Sequence, residues 1–101
     1  MEQGYTLDEI RAKAVPIARR YGIRNLRLFG SHARGEARKD SDVDLHIDKG
    51  NLTGLFSYYA MVDELEQALG CHVDLVLDGS RDAQFLEHIS QEEVPLYVAE
   101  G

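Results

Sequence analysis

The stretch between positions 26 and 48 constrains the fold of this chain more than any other part of the sequence. An apolar run ends there in the pair Gly30–Ser31, and a polar loop follows. Residues 42–48 then alternate acidic or polar side chains with aliphatic ones. Strict alternation is typical of a half-buried strand, so Asp42 and Asp44 share the face opposite the aliphatic residues. The stretch therefore predicts two strands, at residues 25–29 and 43–48, joined by a Gly–Ser turn, a short helix from Ser31 to about Gly35 and a charged loop.

The residue types at the two ends of this stretch indicate phosphate and metal chemistry. Glycine allows close approach of the backbone, and a turn that opens into a helix directs N–H groups at an anion. Asp42 and Asp44 are spaced roughly 6.5 Å apart along a strand. Carboxylates so placed can reach a pair of metal ions, which in phosphoryl-transfer sites lie about 3.5–4 Å apart. Mg²⁺ is the expected ion, because it binds carboxylates together with substrate phosphates.

A calcium-binding loop of the EF-hand type is the competing interpretation of the same acids. Asp40, Asp42 and Asp44 would occupy its first, third and fifth positions. Such a loop requires Gly at the sixth position and Glu at the twelfth. Leu45 and Asn51 stand at those positions, and this interpretation is therefore excluded.

The spacing of these residues resembles that of a known enzyme family. Gly30–Ser31, ten intervening residues and Asp42-x-Asp44 resemble the G-S-x10-D-x-D pattern of the DNA polymerase beta-like nucleotidyltransferases. The surrounding text, LFGSHARGEARKDSDVDL, is similar to the minimal nucleotidyltransferases (MNT) in particular. Those proteins are encoded beside a HEPN-domain ribonuclease toxin and act as its antitoxin. The resemblance is densest over residues 26–48, and elsewhere it extends to the order of the elements.

Asp74 is a candidate third acid of the site. It lies within residues 72–77, which otherwise read as an apolar strand. Burying an unpaired carboxylate is costly, so Asp74 either has a partner or lies at an active site. The resemblance implies the second case, with Asp74 as general base toward the incoming hydroxyl and as a contributor to metal binding. The alternative is an acid at a strand end that forms a salt bridge.

The resemblance also implies which residues bind the substrate. Gly30 and Ser31 would bind the β- and γ-phosphates of ATP, and two Mg²⁺ ions would be held by the acids of the site. Arg34 lies one turn further on and can hold a phosphate, because a guanidinium matches phosphate geometry; alternatively it is a surface arginine. His46 shares the acidic face, but we expect it to support the site or to be exposed rather than to bind metal.

Three functions remain open. The first is an enzyme that transfers AMP from ATP to a hydroxyl, which the resemblance implies to be a tyrosine of the partner HEPN toxin. The second is a non-catalytic antitoxin that neutralises the toxin by forming a complex. The third is a nucleotidyltransferase acting on a small molecule such as an aminoglycoside; those enzymes usually carry a second domain, for which this chain has no room.

Composition narrows the choice of partners and of compartment. The chain has 101 residues, a single domain at 1–101, and a net charge of −7. Residues 1–49 carry a charge of +2 and residues 50–101 a charge of −9. Generic nucleic-acid binding is not expected, since it depends on neutralising phosphates; the acidic half is either a solvated face or a surface for a basic partner. A single cysteine, Cys71, and no long apolar stretch predict a cytoplasmic protein without a membrane span.

The remaining patterns predict an α/β (α+β) fold with two layers. A capping box at Thr6 and Glu9 begins a helix in which Pro16 should produce a kink or separate two helices. A second long helix follows Gly54 and ends at Gly70. Residues 85–89 suggest a short helix, and residues 95–98 a final strand or a docking tail. The resemblance implies a small mixed β-sheet with helices packed on one face.

Overall fold

The computed structural model describes residues 4–79 and 83–99 of the chain. Within this part, helices and strands alternate in the predicted order, and residues 95–98 belong to a strand rather than to a loose tail. The elements are α1 (Leu7–Arg20), β1 (Asn25–Phe29), α2 (Gly30–Arg34), β2 (Val43–Asp48), α3 (Leu55–Leu69), β3 (Val73–Leu77), α4 (Ala83–Ser90) and β4 (Val94–Val98). None of the helices in the described part combines the length and the hydropathy needed to cross a membrane.

The strands form one mixed sheet in the order β3-β2-β1-β4. β1 is antiparallel to both β2 and β4, whereas β2 and β3 are parallel. Parallel strands cannot be joined by a tight turn and need a crossover, which α3 supplies between β2 and β3. The small mixed sheet implied by the family resemblance is therefore confirmed.

The two long helices cover one face of the sheet. The core consists of aliphatic side chains that alternate along the strands and meet apolar residues of α1 and α3; its fully buried members include Ile10, Ala14, Leu26, Leu28, Val43, Leu45, Ile47, Met61, Leu65 and Leu69. The short helix α4 contacts the opposite face, where Ile89 packs with Phe29 and Val76. The acidic residues of β2 lie on this second face and remain accessible beside α4.

The ends of the long helices follow the local signals. Thr6 and Glu9 form both hydrogen bonds of the capping box at the start of α1. Gly70 ends α3 in the left-handed conformation. α1 is continuous through Pro16, so the alternative that Pro16 separates two helices is wrong. Buried residues on both sides of Pro16 hold the helix against the sheet, and this packing outweighs the one backbone hydrogen bond that proline cannot make.

Candidate active site

The three predicted acids lie at one end of the sheet because of strand register. Asp44 in β2 is the register partner of Asp74 in the parallel strand β3. Neighbouring strands are about 4.8 Å apart, so the two carboxylates are adjacent on the same face. Asp42 directly precedes β2 and is exposed. One strand pairing thus brings together acids that are thirty positions apart in the sequence.

The Gly30 turn lies against the same acids. Phe29, the last residue of β1, pairs with Asp44, which places Gly30 beside the Asp44 side chain. Gly30 has a φ of +76°, and a Cβ added to it would lie 2.0 Å from Oδ2 of Asp44. No other residue type fits this position, because it requires both a left-handed backbone and the absence of a side chain. The predicted phosphate turn and the predicted metal ligands are therefore in contact.

The other two predicted nucleotide-binding residues lie in the short helix α2. Ser31 is half-buried in its first turn. Arg34 is on the exposed side of the helix, where its guanidinium pairs with Glu36 at 2.9 Å and with Glu92 at 3.0 Å. Both contacts raise the pKa of Arg34 above its ordinary value, with the hydrogen bond to Glu36 as the larger cause. Arg34 is thus held beside the turn by carboxylates rather than extended into solvent.

Asp42 is contacted by two histidines that no sequence pattern singles out. His32 is buried, and its Nδ1–H donates to the Asp42 carbonyl at 3.1 Å. Burial lowers the pKa of His32, with a smaller opposite contribution from this hydrogen bond; the ring is therefore neutral at pH 7. His72 lies on the other side, with Nδ1 3.5 Å from Asp42 Oδ2. His32 ties α2 to the start of β2, a link for which the sequence carries no periodic signal.

Glu92 is the third residue that sequence reasoning missed. It follows α4 and accepts a hydrogen bond from the Gly30 N–H at 3.2 Å. Its carboxylate also bonds Arg34. Sixty-two positions separate Glu92 from Gly30, so no local pattern connects them.

The surroundings of Asp74 and of His46 can each be compared with what the sequence predicted for them. Within residues 4–79 and 83–99, no cation forms an ion pair with Asp74, and its role as the third acid of the site stays a prediction. His46 is buried rather than exposed, and its ring lies between the carboxylates of Glu93 and Asp78. It therefore belongs to an ionic cluster further along the sheet, where Arg27 also contacts both acids.

The electrostatics of the site centre on Asp44. Burial raises the pKa of Asp44 to about 6, and the carboxylates of Asp74, Asp42 and Glu92 act in the same direction. Arg34 opposes them. An excess of negative charge around a partly buried carboxylate is an environment that a divalent cation neutralises. The donor set consists of oxygen atoms, which suits Mg²⁺.

The described residues do not form a complete metal cage. Among residues 4–79 and 83–99, no three side chains of His, Cys, Asp or Glu are arranged around a common ion position. Mg²⁺ seldom requires such a cage, since it retains several waters and is bound through one or two carboxylates plus substrate phosphates. The assignment of Asp42, Asp44 and Asp74 as metal ligands stays a prediction.

A groove lies beside these residues without containing the acids. It has a volume of about 1120 Å³ and is lined by the segment from Gly4 to Leu7, by residues 32–40 and by Gly70. Arg34, Arg38 and Lys39 contribute its positive charge. The chemistry is nevertheless expected at the carboxylates, because there Asp44 and Asp74 are adjacent and Asp44 lies against the backbone of Gly30.

The raised pKa of Asp44 predicts that this residue destabilises the metal-free protein at neutral pH. An acid whose pKa is higher in the folded state supports folding only while it is protonated. That contribution is complete below the unfolded pKa of 3.8 and is lost as pH rises through about 6. We expect Asp44→Asn to be more stable than wild type at pH 7.5 by about 1–2 kcal/mol, after allowance for partial exposure.

Urea unfolding in EDTA at pH 7.5, 5 and 4 measures this effect. The advantage of Asp44→Asn should shrink as pH falls from 6 to 4. Asp40→Asn, which removes a nearby exposed carboxylate, should show no comparable trend. An advantage independent of pH, or a less stable Asp44→Asn protein, would contradict the role given to burial and to the neighbouring acids.

The chain is similar to known nucleotidyltransferases over most of its length. The protein adenylyltransferase MntA of Thermococcus cleftensis is 36% identical over 93 residues, covering 88% of this chain and 94% of its own length. A solved minimal nucleotidyltransferase is 33% identical, with a TM-score of 0.76 and coverage of 90% of this chain and 96% of that one.

Two complexes share the fold at lower identity. A toxin–antitoxin complex with AMP-PNP contains a chain that is 21% identical, with a TM-score of 0.76 and coverage of 89% and 74% of the two chains. A complex of tri-AMPylated Shewanella oneidensis HEPN toxin with MNT antitoxin contains one that is 18% identical, with a TM-score of 0.71 and coverage of 93% and 74%.

The match to the protein family covers nearly the whole domain. The family described as "Polymerase beta, Nucleotidyltransferase" matches residues 12–100. This range contains the Gly30 turn, the acids of β2 and β3, and every strand of the sheet. The chain belongs to the polymerase beta family of nucleotidyltransferases.

Proposed function

We propose that this chain transfers AMP from ATP to a hydroxyl, a tyrosine of a partner HEPN-domain ribonuclease toxin, and thereby silences the toxin. The observation that carries the proposal is the contact between Gly30 and Asp44, which joins a phosphate-binding turn to a cluster of acids. The Thermococcus relative is named a protein adenylyltransferase, and the Shewanella complex holds an AMPylated toxin. These names support the same reaction here.

In the proposed reaction, the acceptor oxygen attacks the α-phosphorus of ATP. A bond forms between this oxygen and phosphorus, and the bond from phosphorus to the bridging oxygen of pyrophosphate breaks. The Gly30 N–H and Ser31 hold the β- and γ-phosphates, and Arg34 balances their charge. Asp74 receives the hydroxyl proton, and pyrophosphate leaves with the electron pair of the broken bond.

The carboxylates of Asp42 and Asp44 would hold two Mg²⁺ ions, with Asp74 as a further donor. Bound there, Mg²⁺ neutralises phosphate charge and stabilises the charge that develops on the attacking and leaving oxygens. The chain's own contribution is to place the acids. His32 holds the Asp42 backbone, and the strand pairing holds Asp44 beside Asp74.

We place the reaction in the cytoplasm. Cys71 is a free thiol, as is usual in a reducing compartment. Burial is the main cause that raises the pKa of this thiol, so it is a weak nucleophile and has no part in the reaction. The toxin–antitoxin complex with AMP-PNP and the complex of the AMPylated HEPN toxin contain chains of the same fold, and they support ATP and a toxin as substrates.

The metal assignment predicts the loss of transfer from single substitutions. Asp42→Asn and Asp44→Asn each remove a charge that the ions require, so AMP transfer should fall to background while the protein stays folded. The measurement is transfer of label from α-³²P-ATP to the partner toxin in Mg²⁺. Asp40→Asn is the matched control and should transfer normally. Near-normal labelling by either test variant would remove the metal assignment.

The base assignment predicts a separation of turnover from binding. Asp74→Asn should lower kcat by about 10²–10⁴-fold, as expected for a positioned base, and should weaken binding of MgATP far less, because Asp42 and Asp44 remain to hold the ions. Calorimetry measures the Kd and the label assay measures turnover. Asp78→Asn, at the other end of the same strand, should keep wild-type turnover. Transfer at the wild-type rate by Asp74→Asn would refute the base assignment.

An exposed apolar cluster favours neutralisation by complex formation as a second function. Leu55, Phe56 and Tyr59 at the start of α3 are 72%, 95% and 63% exposed. Exposed apolar patches of this kind mark protein interaction sites, and aromatic residues are enriched there. α3 starts beyond the end of β2 opposite Asp42. The cluster is therefore separate from the acids, and binding and transfer can be changed independently.

This separation predicts that a substitution in the apolar cluster weakens toxin binding, whereas a substitution among the acids removes AMP transfer. Phe56→Glu should weaken the complex with the toxin at least about tenfold, because it places a charge in a desolvated contact. Gln67→Glu, which adds the same charge at the other end of α3, should not. Ribonuclease assays then compare Phe56→Glu with Asp44→Asn. If complex formation contributes to silencing, Asp44→Asn still inhibits the toxin in part; complete loss of inhibition by Asp44→Asn alone would exclude that contribution.

A further inference from the structure

Glu92 occupies the position that the proposed function gives to a nucleotide phosphate. Its Oε1 accepts a hydrogen bond from the Gly30 N–H at 3.2 Å. Its two oxygens accept from Arg34 Nη1 at 3.3 Å and 3.0 Å. The amide and the guanidinium proposed to bind phosphate are therefore both engaged by one carboxylate of the same chain.

The chemistry of these contacts is that of phosphate recognition. A carboxylate and a phosphate both present anionic oxygens that accept from backbone N–H groups and pair with guanidinium. Arg34 and the Gly30 amide lower the pKa of Glu92, with Arg34 as the largest cause. Glu92 thus remains an anion at neutral pH, as a phosphate would.

The position of Glu92 also allows it to leave. The residue lies in the turn between α4 and β4, and its side chain is partly exposed. The backbone N–H of Glu92 donates to the Ile89 carbonyl at 3.0 Å, so the turn stays anchored when the side chain rotates. Rotation toward solvent would expose the Gly30 N–H and release one of the two carboxylates on Arg34.

We propose that Glu92 is an internal competitor of the nucleotide, which the metal-bound triphosphate must displace before transfer begins. The inference rests on the proposed function, because it takes the Gly30 turn and Arg34 as the place of the phosphates. Displacement adds a cost to nucleotide binding and none to the chemical step. It also removes a fourth carboxylate from the neighbourhood of Asp44, where metal-bound phosphates bring negative charge of their own.

The other carboxylate on Arg34 provides a matched control. Glu36 pairs with Nε of Arg34 at 2.9 Å but follows α2 and is exposed, and no hydrogen bond joins it to the Gly30 amide within the described residues. Glu36→Gln and Glu92→Gln change the net charge equally and each remove one partner of Arg34. Only Glu92→Gln removes the charge that competes for the amide.

The experiment is calorimetric titration of the full chain with MgATP and with magnesium pyrophosphate. Glu92→Gln should bind both about five- to tenfold more tightly than wild type, the value of a charged hydrogen bond in a partly exposed setting. Glu36→Gln should stay within about twofold. In the transfer assay, Glu92→Gln should lower KM for ATP by the same factor and leave kcat unchanged.

Four outcomes would overturn the inference. Weaker binding by Glu92→Gln would mean that Glu92 helps to bind the metal–nucleotide complex and does not compete with it. An equal increase in affinity in Glu92→Gln and Glu36→Gln would mean that only the loss of a carboxylate from Arg34 matters. An unchanged affinity would show that Glu92 does not compete. Binding of MgATP without transfer by wild type would refute the proposed function while leaving the Glu92 comparison valid, whereas binding by no variant would refute both.

Discussion

The contact between Asp44 and the backbone of Gly30 is the constraint on which the site depends. β1 ends at Phe29 opposite Asp44, so the chain must turn away from the sheet where the carboxylate projects. A side chain at position 30 would occupy the space of that carboxylate. The left-handed glycine resolves this conflict and begins α2 at once. The same turn therefore brings the Gly30 amide within reach of an acid, the combination on which the proposed phosphate and metal sites depend.

The two faces of the sheet divide stability from chemistry. The face under α1 and α3 is apolar throughout and contains nearly the whole core. The other face has only a small apolar cluster under α4, with acids on one side of it and the ionic cluster of His46, Glu93 and Arg27 on the other. Polar side chains persist there because they are paired or remain near water. The helices thus stabilise a sheet whose open face is free to bind charged substrates.

The turn of Glu92 and Glu93 connects these regions. Glu92 bonds the Gly30 amide and Arg34, whereas its neighbour Glu93 bonds the buried His46. The segment between α4 and β4 is therefore attached both to the site and to the sheet beneath it. A substrate that displaces one carboxylate leaves the other in place, which preserves the sheet while the site opens. We expect the accumulation of acids near Asp44 to cost stability in the metal-free chain, as is common where residues are arranged for function.

Sequence alone determined most of the local structure and the part of the candidate site that lies between Gly30 and Asp44. Alternation in residues 42–48, the capping box at Thr6 and the glycine after α3 depend on near neighbours, so periodicity and residue type were sufficient. The spacing from Gly30 to Asp42 and Asp44 carried the family, which the match over residues 12–100 then established.

Only the tertiary structure decided which distant residues join them. The pairing of Asp74 with Asp44 follows from a parallel register set by the α3 crossover, and no local pattern encodes it. The burial of His46 and the contact of Glu92 with Gly30 depend on how α4 and β4 pack against the sheet. Such contacts are decided by packing over the whole domain, because the energy of a strand register is the sum of many side-chain burials, and this sum is not visible in any single stretch of the chain.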